Sequence, residues 1–180
     1  MAQRVFISYG RNDVYPKDAT NPVEREKHFP IVEKVYRTLK TSGQSPWLDK
    51  YDLTTDREFT DSINHAIENC DYMLLFIGSH AIQSEWCARE WKHALTHCIP
   101  IVPILLEGEW DDAKITETYP TRILRTDGIN PRRPDGTLDD DYLLDKIAQA
   151  IRVAPKPLTT PYNAKPVPEW YIERPQYIEA

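Results

Sequence analysis

The chain has 180 residues, 41% of them hydrophobic and 28% charged, the balance of an ordinary soluble domain with one core. Its formal net charge of -6 and its 22 scattered basic residues, of which Arg132-Arg133 is the only adjacent pair, exclude nucleic acid as the main partner. No apolar run approaches the length that crosses a bilayer, and three cysteines (Cys70, Cys87, Cys98) without CxxC spacing fit reduced thiols rather than a disulfide framework.

Met1-Ala2-Gln3-Arg4 runs straight into a strand-like segment, so no leader and a cytoplasmic location are expected. Val5-Phe6-Ile7-Ser8-Tyr9 reads as a first strand ended by Gly10, and the polar stretch over 10–22, with Pro16 and Pro22, as a loop. Ile31, Val35 and Leu39, flanked by Val32 and Tyr36, mark one face of a helix that Gly43 stops. Ser45-Pro46-Trp47-Leu48 is a short second strand; Pro46 suits a sheet edge, where a missing N–H loses no ladder bond.

Phe59, Ile63, Ala66 and Ile67 mark a second amphipathic helix. Residues 72–77 are apolar throughout, which predicts a strand covered on both faces. Residues 86–97 read as a helix, with Cys87, Trp91, Ala94 and Leu95 on one face. Ile99 to Leu106 is a fourth strand, in which Pro100 and Pro103 predict a late start or a bulge. Residues 107–120 look irregular, Ile123-Leu124 reads as a weak fifth strand, and Leu144, Ile147, Ala148 and Ile151 as a last helix, with Asp139, Asp140 and Asp141 solvated near its positive end. The alternation predicts an α/β fold, one parallel sheet with helices on both faces. From 153 onward six prolines punctuate a stretch without period, so 1–152 reads as the domain and 153–180 as a Pro-rich linker or tail.

In such a sheet ligands bind beyond the carboxyl ends of the strands. That edge collects the loop after Tyr9, the loop after Leu48 and the segment from Gly78 to Trp86. Ser84 is a good N-cap, and Trp86 and Glu90, four apart, share a helical face near that helix start. An aromatic plane beside a carboxylate suits cleavage of a ribosyl bond: the carboxylate stabilises an oxocarbenium-like transition state and the ring stacks on a base. Read from these residues alone, a solvated Glu and a core Trp are the competing account.

The residues also resemble a family. Phe6-Ile7-Ser8-Tyr9 with Asp13, Trp47-Leu48-Asp49, the helix through Phe59, Ile63 and Ala66-Ile67, and Ser84-x-Trp86-Cys87-x-x-Glu90 fall in the order of Toll/interleukin-1 receptor (TIR) domains over residues 4–152. The last segment resembles the S-x-W-C-x-x-E motif of plant and bacterial members. The resemblance implies a flavodoxin-like three-layer sandwich with a five-stranded parallel sheet of order 2-1-3-4-5. It implies an NAD⁺ glycohydrolase or ADP-ribosyl cyclase with Glu90 catalytic and Trp86, Ser84, Tyr9 and Ser8 contacting substrate. It implies self-association with other TIR domains, with Asp49, Tyr51, Asp52 and Arg57 in the gating and assembly loop. That loop lacks the family's usual glycine, and the loop after Tyr9 is longer than usual.

NAD⁺ is then the substrate and no cofactor is expected. Val167-Pro168-Glu169-Trp170-Tyr171-Ile172-Glu173-Arg174-Pro175 resembles the lead-in to a STAND-type NTPase module, which implies the N-terminal effector of a bacterial immune receptor. A non-enzymatic TIR–TIR interaction module and a nucleoside deoxyribosyltransferase-like enzyme are the alternatives.

His93 and His97, with Cys98 beside them, lack the HExxH or CxxC that completes a metal site, so no metal is expected. No GxSxG elbow or GxGxxG fingerprint is present, and Cys87 reads as a core residue.

Overall fold

The structure is a computed structural model that describes residues 2–10, 13, 31–49, 59–124 and 128–153. Its elements in chain order are β1 (Arg4–Ser8), α1 (Ile31–Thr41), β2 (Ser45–Trp47), α2 (Phe59–Glu68), β3 (Tyr72–Ile77), α3 (Ser79–Gln83), α4 (Glu85–Thr96), β4 (Ile101–Leu105), α5 (Ala113–Thr118), α6 (Thr121–Leu124) and α7 (Asp140–Val153).

The four strands among the described residues are parallel and ordered β2-β1-β3-β4. Period-two alternation splits their side chains between two cores. Val5, Ile7, Leu74, Phe76, Val102 and Ile104 face α1 and α7, which contribute Val35, Leu39, Leu143 and Ile147. Phe6, Met73, Leu75, Ile77, Ile101 and Leu105 face the other layer, where α2, α4, α5 and α6 supply Ile67, Trp91, Ile115 and Ile123. All six residues of β3 are buried, as a strand covered on both sides requires.

The prolines fall where the ladder tolerates them. Pro46 sits in edge strand β2. β4 starts after Pro100. Pro103 lies inside β4, yet its backbone faces away from β3: its carbonyl accepts from Ile129 N–H (2.9 Å), on the side where Leu105 N–H donates to the Ile129 carbonyl (2.8 Å). The absent Pro103 N–H therefore loses no β3–β4 bond.

Two expectations at this edge are corrected. Ile123-Leu124 belongs to the short helix α6, with Ile123 turned into the core, and the position beyond β4 is taken by Ile129, bridged in parallel to Ile104. The stretch expected to be irregular contains α5, anchored by buried Ile115 and Tyr119.

α1 ends in a Schellman turn, Gly43 N–H to Lys40 O (3.2 Å) and Gln44 N–H to Leu39 O (2.9 Å), with Gly43 at φ +80. Nothing crowds a Cβ there, so Gly43→Ala isolates the backbone cost of the left-handed conformation. It is expected to lower stability by about 1 kcal/mol, read from the denaturant midpoint. At the last helix, Asp139 Oδ1 accepts from Tyr142 N–H (3.0 Å), so one of the three aspartates is a cap rather than merely solvated.

Candidate functional site

The order β2-β1-β3-β4 reverses at β1, so the carboxyl ends of β1 and β3 diverge into a crevice. Ser8 closes β1 and is buried at 1% exposure. Its Oγ donates to Glu90 Oε2 at 2.6 Å, joining residues 82 apart in sequence. Glu90 lies in the second turn of α4, whose start is held by Ser84: the Ser84 Oγ accepts from Cys87 N–H (3.2 Å).

Glu90 keeps part of its surface open, but its carboxyl is enclosed. Desolvation pushes this carboxyl up to about 8; Asp49's charge adds to the rise, and the Ser8 hydrogen bond opposes it. A perturbed carboxyl at the switch point of a parallel sheet is the kind of group that functional sites contain.

Trp86 stands one turn earlier on the same face, 44% exposed, with the Arg89 guanidinium 5.1 Å from its ring centre. It is a broad, solvent-exposed aromatic plane one helical turn before Glu90. Tyr9 follows Ser8; its ring packs in the core under α1 while its hydroxyl donates to Asp49 Oδ1 (2.7 Å). The strand ends of β1 and β2 are thereby tied together beside Glu90. Thus Ser8, Glu90, Tyr9 and Asp49 are brought together, Trp86 flanks them, and Ser84 supports the helix. Tyr51, Asp52, Arg57, Pro16, Pro22 and the tail after Val153 lie outside the described residues.

Cys87 is buried on the inner face of α4; burial pushes its thiol up to about 11, with Glu90's charge adding, which leaves it unreactive.

Asp13, part of the opening box, has a role that spacing does not reveal. Its side chain is 1% exposed and accepts from His80 N–H (2.7 Å) and Ala81 N–H (2.8 Å), capping α3 from 67 positions away in sequence. Gly78 makes the approach possible, because a Cβ there would fall 2.5 Å from Asp13 Cγ. Glu107 Oε2 accepts from Ser79 N–H in the same turn (3.2 Å). Asp13→Ala leaves two partly buried donors without their acceptor and is expected to destabilise by about 1 kcal/mol in chemical denaturation.

The fold and site together define a flavodoxin-like α/β domain with a carboxylate at its switch point. The chain belongs to the TIR domain family, whose match spans residues 5–132. No match to the sequence emerges among curated proteins.

Solved structures share the fold. The TIR domain of the Toll-related receptor TRR-2 from Hydra magnipapillata is 18% identical with a TM-score of 0.56, covering 84% of this chain and 99% of that one. The TIR domains of the activated Roq1 resistosome are 14% identical at 0.60, covering 83% and 99%. Clostridium botulinum CMP N-glycosidase BcmB is 18% identical at 0.51, covering 82% and 99%. Among the described residues no helix is long and apolar enough to cross a membrane.

Proposed function

We propose that this TIR domain cleaves the nicotinamide–ribose bond of NAD⁺. The observation that carries the reading is the enclosed Glu90 carboxyl, held by Ser8 at the carboxyl edge of the sheet. A glycosidase ordinarily needs a second carboxylic acid to protonate its leaving group. Nicotinamide leaves NAD⁺ as a neutral molecule from a cationic ring, so one carboxylate suffices.

In this mechanism Trp86 and the Tyr9 loop hold the nicotinamide riboside. Glu90 hydrogen-bonds the ribose hydroxyls, and its negative charge stabilises the oxocarbenium ion as the bond to nicotinamide breaks. Water then attacks to give ADP-ribose, or the adenine ring attacks to give a cyclic product. The neighbouring structure named as a CMP N-glycosidase supports N-glycoside chemistry on this fold. Self-association completes the pocket through the loop that bears Asp49, Tyr51, Asp52 and Arg57. A downstream STAND-type module would bring copies together as the effector arm of an immune receptor.

The test is NAD⁺ consumption at high protein concentration with a crowding agent, with products separated by chromatography and CMP run in parallel. Nicotinamide release is the expected result, and the co-product assigns hydrolase or cyclase. Cleavage of CMP alone would move the substrate to another nucleotide class. Release from neither would favour an interaction module.

A further inference from the structure

Where α4 packs beside α2, the fold adds to His93 and His97 a residue that their spacing does not disclose. Glu68, at the C-terminal end of α2, places Oε1 3.0 Å from His93 Nε2 and 3.7 Å from His97 Nε2. One ligand atom from each of the three residues lies within 4.8 Å of the others. The side chains of His93, His97 and Glu68 are 24%, 34% and 42% exposed, so an ion reaches them from solvent and a water can complete the shell.

His97 Nδ1 lies 3.0 Å from the His93 carbonyl, which can only accept, so the Nδ1–H tautomer leaves the His97 Nε2 lone pair free to serve as a ligand beside Glu68. A backbone carbonyl behind the distal nitrogen is also how metal-bound histidines are usually oriented. Two imidazoles and one carboxylate with an open fourth position form a zinc-type donor set. Bonds of about 2.1 Å place neighbouring ligand atoms roughly 3.4 Å apart in a tetrahedron. His93 and Glu68, at 3.0 Å, are already inside that spacing, and His97 Nε2 lies 3.7 Å from the same carboxylate oxygen.

We propose that Glu68, His93 and His97 bind a divalent transition-metal ion of the zinc type. The ion ties the end of α2 to the last turns of α4. Trp86, Glu90, His93 and His97 fall at i, i+4, i+7 and i+11 on one stripe of α4, so the clamp fixes the helix that carries the candidate site. The Cys98 thiol is buried and is not required.

The experiment is titration of the full chain with Zn²⁺ against a chromophoric chelator, followed by Co²⁺ absorption. One equivalent is expected to bind, with no thiolate charge-transfer band from Co²⁺. His93→Ala and His97→Ala should each weaken affinity at least about tenfold, and Glu68→Gln by a similar factor, with unchanged circular dichroism. Zn²⁺ should raise the Tm of the wild type and not of the double histidine variant. Absence of stoichiometric binding overturns the proposal. So does binding that survives both histidine substitutions, or a Co²⁺ spectrum showing cysteine ligation.

Discussion

Glu90→Gln is expected to lower kcat/KM for nicotinamide release from NAD⁺ by about 10³-fold, the scale seen when one preorganised electrostatic partner is removed from a developing charge. Glutamine has nearly the same shape, and its amide oxygen still accepts the Ser8 hydroxyl, which now stands 2.6 Å from the carboxylate. What it loses is the negative charge facing the oxocarbenium ion. The fold should therefore persist, and circular dichroism of the variant should overlay the wild type. Ser8→Ala is expected to act more mildly, by removing a hydrogen bond that helps Glu90 ionise. Turnover by Glu90→Gln within tenfold of wild type would remove Glu90 from the mechanism.

The second large effect is one of pH. Glu90 ionises near 8 in the ligand-free protein, so kcat/KM should rise about tenfold per pH unit below that value and level off above it. Bound NAD⁺ brings a positive charge beside the carboxylate and favours its ionised form, so the limb in kcat should lie at lower pH than the limb in kcat/KM.

Stability runs the opposite way. The carboxyl is raised from 4.5 in its ordinary state to about 8 in the fold, so its favourable contribution is complete below about 4.5 and is lost as pH climbs through 8. Glu90→Gln carries no such titration. It should match the wild type near pH 4 and exceed it by a few kcal/mol near pH 9, read from urea midpoints at the two pH values. A stability difference that does not grow with pH would show that the carboxyl is not desolvated. A site residue whose removal stabilises the fold is what a stability–activity trade-off predicts.

Much of the architecture is written locally. A fully apolar Tyr72–Ile77, the four-residue recurrence of Ile31, Val35 and Leu39, a glycine at position 43 and the Ser84 cap are each read by the few residues around them, because helix period, strand period and cap chemistry act over one or two turns. Pro46 marked an edge strand for the same reason. Ile123-Leu124 was misread because two adjacent apolar residues carry no period; whether they join a sheet or a helix depends on which core they meet, and here it is the one under Trp91 and Ile115. The edge position went to Ile129, a lone apolar residue with no strand signal around it.

The sequence by itself determined the parallel α/β class, its two-sided helical cover and the pairing of Trp86 with Glu90 on one helix. Tertiary structure alone decided that Ser8 would meet Glu90, Tyr9 meet Asp49, Asp13 cap a helix across the crevice, and Glu68 join His93 and His97. Those contacts join residues 82, 40, 67 and 25 positions apart, and side chains that distant come together only once the strand order and helix layers place their backbones within reach.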